Sequence, residues 1–228
     1  MSQAYAQFIK ELREKRGFSQ QEVANRLEIA RTSYLAVEQG KRELTLSEAH
    51  KLADMFGIDI EDLESGMIPD YEKYKQMLLA YIRMAGSDRD GCIPKTKLAK
   101  LLYLADFAWY YEHLESMSGM KYKKLPYGPV PIPYFQALTE LEEEGLITVK
   151  RNRDSILIGE TDASKKKKDF SLSVDEMKLM KAIARKWKKK RTPEIVKFTH
   201  DQMPYFLCRD NEVIPYELIT QEDPSGIY

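Results

Sequence analysis

The chain lacks most of what a secreted, membrane-embedded or catalytic protein requires. It has two cysteines in 228 residues, Cys92 and Cys208, far apart in sequence. That usage fits a reducing compartment and excludes a disulfide scaffold. It has three scattered histidines, His50, His113 and His200, which with the cysteines give no metal-ligand spacing. No uncharged apolar run reaches the roughly 18 residues of a membrane span. The early charges Lys10, Glu11, Arg13, Glu14 and Lys15 argue against a signal peptide, so a cytoplasmic location is expected. No phosphate-binding glycine loop, no G-x-S-x-G and no H-E-x-x-H occurs. A loop around Asp88 to Gly91 fails as a calcium site, because Gly86 and Lys97 stand where acids are required. Glu142, Glu143 and Glu144 read as a solvated helix face. No catalytic residue, metal or cofactor is expected.

Net charge is also missing: 36 basic residues balance 36 acidic ones. The balance hides an asymmetry. Residues 1–42 hold eight basic and five acidic residues, a net of +3, and residues 43–66 a net of −6. One small module would then have a basic face for phosphates and an acidic face turned away. Two further basic runs, Lys165 to Lys168 and Arg185 to Arg191, read by default as solvated surface.

What the chain does have is helical punctuation. The spacing predicts five short helices in residues 1–66. The first carries Phe8, Ile9 and Leu12 and stops at Gly17. Ser19 with Glu22, and Thr45 with Glu48, are capping boxes that open the second and fourth. Val23, Ala24 and Leu27 face inward from the second, Tyr34 and Val37 from the third. Leu46, Ala49, Leu52, Ala53 and Phe56 serve the fourth. Asp59 caps a fifth, with Ile60 and Leu63. Residues 67–70 are the linker. Residues 71–228 read as a larger, mainly helical α+β domain. In it a helix from Pro94 to about His113 shows an apolar stripe. The prolines between Leu125 and Pro133 force extended or turned chain. Residues 147–158 form a small β-hairpin.

Two helices joined by a tight turn, the second polar at its start, suit a DNA groove about 12 Å wide. Arg31, Thr32 and Ser33 lie where bases would be met. Leu35 and Ala36 are small enough for close approach, and Gln20, Lys41 and Arg42 would meet phosphates. The segment from Ile9 to Leu63, with its R-x-x-x-G-x-S-Q-x-E-x-A start and E-x-G-K end of the third helix, resembles the lambda-repressor-like Xre/Cro family. That resemblance implies DNA binding as a homodimer on a palindrome, and a structural role for Glu38. Glu28 departs from it, standing where the turn usually has glycine or a small residue.

The second part is dense in aromatics, from Tyr103 to Phe135. Most must be core, yet adjacent Tyr110 and Tyr111 cannot both point inward. The K-L-x-K-L-L-Y-x-A helix, the Y-G-P-V turn and the closing segment Thr199 to Ile219 are similar to the Panacea domain of SocA-type antitoxins, over roughly residues 71–222. The resemblance implies a non-enzymatic binder of a protein toxin encoded nearby, and, with the added Xre-like domain, repression of its own operon on double-stranded DNA. Tyr103, Asp106, Tyr110, Tyr127 and Tyr134 are the candidate partner contacts. Other readings stay open. The second part could sense a ligand, dimerise or act as a proteolytic adaptor in a plain transcription regulator. In one variant, Lys150, Arg151 and Arg153 would form a DNA-contacting wing.

Overall fold

The computed structural model describes residues 3–56, 58, 60, 69–85, 91–152, 155–166 and 171–228. The chain divides into two compact units, residues 1–69 and 70–228.

The first unit contains α1 (Gln3–Lys15), α2 (Gln20–Leu27), α3 (Arg31–Glu38) and α4 (Leu46–Phe56). Each start has a local cause. Ser19 accepts from the Glu22 amide, and Glu22 accepts back from Ser19 N–H. Thr45 and Glu48 repeat that exchange before α4. Phe8, Ile9, Leu12, Val23, Ala24, Leu27, Tyr34, Val37, Leu52, Ala53 and Phe56 build one core. Leu46 is a correction: at the first position of α4 it lies outside the packed layer and is 70% exposed. The fifth helix falls outside the described residues except for Ile60.

The second unit follows the order α5 (Tyr71–Ala85), β1 (Ile93–Pro94), α6 (Lys95–His113), β2 (Tyr122–Leu125), β3 (Gly128–Pro131) and α7 (Tyr134–Glu143). Then come β4 (Ile147–Asn152), β5 (Ser155–Glu160), α8 (Asp162–Lys166), α9 (Val174–Trp187), α10 (Thr192–Asp201), α11 (Met203–Leu207) and two 3-10 turns. Strands β1, β5 and β4 make an antiparallel sheet in that order; β2 and β3 make a separate hairpin, with Leu125 opposite Gly128. The proline-rich stretch is therefore partly strand, a pairing its prolines concealed.

Helix α6 is the axis of this unit. Helices α5, α9 and α10, strand β3 and the Tyr216–Gln221 turn all pack on it. Its apolar pattern reads as a stripe in sequence, but every residue from Lys97 to Ala108 is buried. A helix covered on all sides needs no polar face. The expected start at Pro94 moves by one, since Pro94 pairs with Leu157 in the sheet.

Candidate nucleic-acid and partner interfaces

The turn between α2 and α3 spans Glu28, Ile29 and Ala30. The Ile29 amide donates to the Ala24 carbonyl and the Glu28 amide to Asn25, which closes α2 in a Schellman turn. Such a turn needs a left-handed residue. Glu28 supplies it at φ 60°, ψ 38°, against the Cβ penalty that glycine escapes. Its carboxylate reaches Lys51 at 2.8 Å, so the charge is tied back to α4.

Tyr34, Val37 and Glu38 face inward from α3. The opposite arc carries exposed Thr32 and Gln39, with half-buried Ser33, Leu35 and Ala36 beside them. Gln39 lies one turn beyond Leu35 on that arc; the sequence reading passed over it although the i, i+4 spacing was visible. Ala30 offers no side-chain cap, so the first amides of α3 remain available to an anion.

What orients this face is a buried ion pair. Arg13 Nε donates to Glu38 Oε1 at 2.6 Å, and Arg13 also donates to the Phe18 carbonyl. Gln20 Nε2 donates to Glu38 Oε2 at 2.9 Å, and Arg31 donates to Gln20 Oε1 at 3.1 Å. An unbroken chain of hydrogen bonds thus runs from core Arg13 to exposed Arg31. Burial pushes the Glu38 carboxyl up, but the hydrogen bonds from Arg13 and Gln20 more than reverse this and hold it below the usual range. Arg13 reads in sequence as a helix-end charge; its pairing with Glu38, 25 residues on, has no local signal.

The expected phosphate contacts differ in state. Lys41 is exposed and carries no salt bridge among the described residues. Arg42 is held in a two-pronged contact by Glu48, at 2.8 and 3.0 Å. Gln20 has both amide atoms engaged.

In the second unit, three of the five candidate partner contacts are corrected. Tyr103 and Asp106 are fully buried and Tyr134 is 1% exposed. They sit on or against the enclosed α6, so no partner reaches them. Asp106 instead accepts from the Ser118 amide (2.6 Å), the Ser118 hydroxyl (2.5 Å) and the Tyr122 hydroxyl (2.6 Å). Burial raises its carboxyl to about 6 against the lowering effect of those bonds. Tyr134 donates to the Lys95 carbonyl. Tyr110 is half-buried and stacked on Tyr216. Tyr127, at the tip of the β2–β3 hairpin, is 77% exposed.

The hairpin tip is held from below. Lys100, fully buried in α6, donates to the Pro129 carbonyl at 2.6 Å. Burial lowers its ammonium to about 7. Gly128 has φ 94°, and a Cβ there would stand 2.7 Å from Lys100 Cε and 3.1 Å from His200 Nε2. The Y-G-P-V pattern therefore reflects a close approach, not only a turn. Tyr205 donates to the Leu125 carbonyl, which seats α11 against the same hairpin. This leaves Phe206 (70%) and Leu207 (53%) exposed on α11. The sequence reading missed both. Exposed apolar side chains and tyrosines are the usual anchors of a protein interface.

Among the described residues, no three His, Cys, Asp or Glu side chains are placed to hold a metal, and no helix is long and apolar enough to cross a membrane. The β4–β5 hairpin exposes Lys150 and Arg151; Arg153 lies outside the described residues.

Residues 9–63 match the helix-turn-helix family, and residues 98–205 match the family described as antitoxin SocA-like, Panacea domain. Both descriptions are of binding modules and neither is enzymatic. The cryptic phage CTXphi transcriptional repressor RstR of Vibrio cholerae is 39% identical over 57 residues, a quarter of this chain. The match covers 51% of that repressor. No solved structure matches the chain.

Proposed function

We propose that this chain, which carries a helix-turn-helix domain at residues 9–63 and an antitoxin-like Panacea domain at residues 98–205, is an antitoxin that binds a protein toxin encoded beside it and represses their common operon. The observation that carries the reading is the pairing, on one chain, of a repressor-like helix with an exposed polar arc and an antitoxin-like domain with exposed apolar anchors.

Helix α3 enters the major groove of operator DNA. Arg31, Thr32, Ser33, Leu35 and Ala36 meet base edges, and Gln39 extends the same arc. Gln20 positions Arg31, and Lys41 meets phosphate. Arg42 reaches phosphate only by giving up Glu48. Two copies on a palindrome match the symmetry such sites have. The toxin is covered by Tyr127, Phe206 and Leu207, which bury apolar area over it and block it sterically. Toxin occupancy then alters operator affinity by linkage.

The test is growth rescue. Cells expressing the neighbouring toxic gene should grow when this protein is co-expressed. The double variant Tyr127→Ala, Phe206→Ala should lose rescue while still shifting upstream DNA. Full rescue by that variant rejects the proposed surface; absence of any toxic neighbour rejects the antitoxin reading. On DNA, Arg31→Ala should cost about 1–3 kcal/mol at the operator, and Lys41→Ala should weaken all sequences alike. Unchanged footprints in both reject the docking of α3. The likeness to a phage repressor favours a second reading, a repressor with no toxin. In that case the upstream shift persists and no neighbouring gene arrests growth.

A further inference from the structure

Between Lys178 and Lys197 the chain places nine basic residues against one acid, Glu194, although the whole chain is neutral. All nine are exposed. Lys190 is paired with Glu194, Lys197 with Asp201, and Lys186 donates to the terminal Tyr228. Among the described residues, Lys178, Lys181, Arg185, Lys188 and Lys189 form no salt bridge, and Arg191 meets Glu194 through its backbone amide.

Helix electrostatics explains only part of this. Arg185 and Lys186 lie in the last turn of α9, where cations are favoured. Lys188, Lys189, Lys190 and Arg191 lie beyond it, at the amino end of α10. There the helix dipole is positive, and crowded cations raise the energy of the fold. A fifth cation lies beneath them: Lys97, 3% exposed, donates to the carbonyls of Lys190 (2.7 Å) and Lys188 (3.2 Å). The loop's carbonyls are thereby turned inward and its cationic side chains face a cleft of about 650 Å³ bounded by Pro94, Thr192 and Pro193. Among the described residues, no acid lines that cleft.

We propose that this ridge is a second nucleic-acid contact, a sequence-independent seat for the phosphate backbone of duplex DNA supplied by the second unit. Crowded cations held in a fixed loop are stabilised by a polyanion that releases its counterions on binding. Among the described residues the ridge offers no fully exposed aromatic: Trp187 is buried, and Phe198 and Tyr228, both against Lys186, are half-buried. Single strands are held by stacking on aromatics, so the chemistry favours duplex backbone over unstacked bases. The inference rests on the reading that the chain binds DNA through α3, and adds affinity without sequence information.

The test compares the full-length protein with Lys188→Gln, Lys189→Gln, Lys190→Gln combined, and separately with Arg31→Ala. Binding is measured across a salt series to the chain's own upstream DNA, a random duplex, a single strand of equal length and poly-glutamate. The triple variant should lose roughly tenfold on both duplexes and flatten the salt slope by about 2–3. Arg31→Ala should weaken only the upstream DNA. If the triple variant leaves both duplexes unchanged while Arg31→Ala acts, the ridge inference falls and the α3 reading stands. If the triple variant acts and Arg31→Ala is silent, the ridge stands and the α3 reading falls. A loss confined to the single strand or to poly-glutamate overturns the duplex assignment.

Discussion

The helix that orients the candidate DNA-binding face and the helix at the centre of the second unit bury charge in different ways. The first unit buries an ion pair: Arg13 and Glu38 satisfy each other at 2.6 Å, and their bonds continue out to Arg31. The second pairs buried Lys75 and buried Glu176 with counter-charges as well, but along α6 it answers Asp106 and Lys100 with neutral dipoles. Asp106 has two hydroxyls and an amide, Lys100 a single carbonyl. A paired charge keeps its ionised form favourable. A charge met only by dipoles has its proton affinity moved toward neutrality, up for Asp106 and down for Lys100. The first arrangement makes a rigid handle for a surface residue; the second makes an interior whose stability depends on pH.

The sharpest way to break this comparison is to remove half of the ion pair. Arg13→Met leaves Glu38 buried without a counter-charge and should destabilise the first unit by about 3–5 kcal/mol. Arg13→Met with Glu38→Leu should recover much of the loss. Denaturation followed by hydrogen exchange in α1–α4 reads both, and equal losses in single and double variants would deny the pairing. Next in size is Gly128→Ala. Its Cβ cannot occupy the 2.7 Å gap to Lys100, and the loss should be about 3 kcal/mol, confined to the second unit.

The pH dependence comes third. Glu38 is lowered, so its contribution is present above the unfolded carboxylate value near 4.3 and is lost as pH falls through its folded value. Asp106 is raised to about 6, so its contribution is present below about 3.9 and is lost as pH rises to 6. Lys100 is lowered to about 7, so its contribution is present above about 10.4 and is lost as pH falls to 7. Asp106→Asn should flatten the acid limb of the second unit's stability profile, and Lys100→Met the alkaline limb. Profiles unchanged by both would show that neither group titrates where its surroundings place it. The smallest effect is a gain: Glu28→Gly should relieve the left-handed strain and stabilise the first unit by about 1 kcal/mol, read as a raised melting temperature.

The same contrast explains what could be read from residues alone. In the first unit the helices are announced locally. Ser19 and Glu22, Thr45 and Glu48 are neighbours in sequence and in space, and the apolar positions repeat at helical spacing. Even there, Arg13 looked like surface, because its partner lies 25 residues away. In the second unit almost every decisive contact is distant. Lys97, Lys100 and Asp106 are residue types that mark a solvated face, so α6 reads as half-exposed when it is enclosed. Tyr103 and Tyr134 read as anchors because they lie in an aromatic-dense stretch whose burial no local signal decides. Phe206 and Leu207 carry no local sign of exposure; it is the seating of α11 on the hairpin that leaves them outward.

The string of bonds from Arg13 to Arg31 also limits how the protein can change over generations. Gln20 touches both the interior carboxylate and the outer guanidinium. Altering it to suit a drifting operator would loosen the packing of three helices at once. Thr32 and Gln39 belong to no such string among the described residues and can vary freely. New binding preferences in this lineage should therefore accumulate along the outer arc of α3, while the glutamine at its flank stays put.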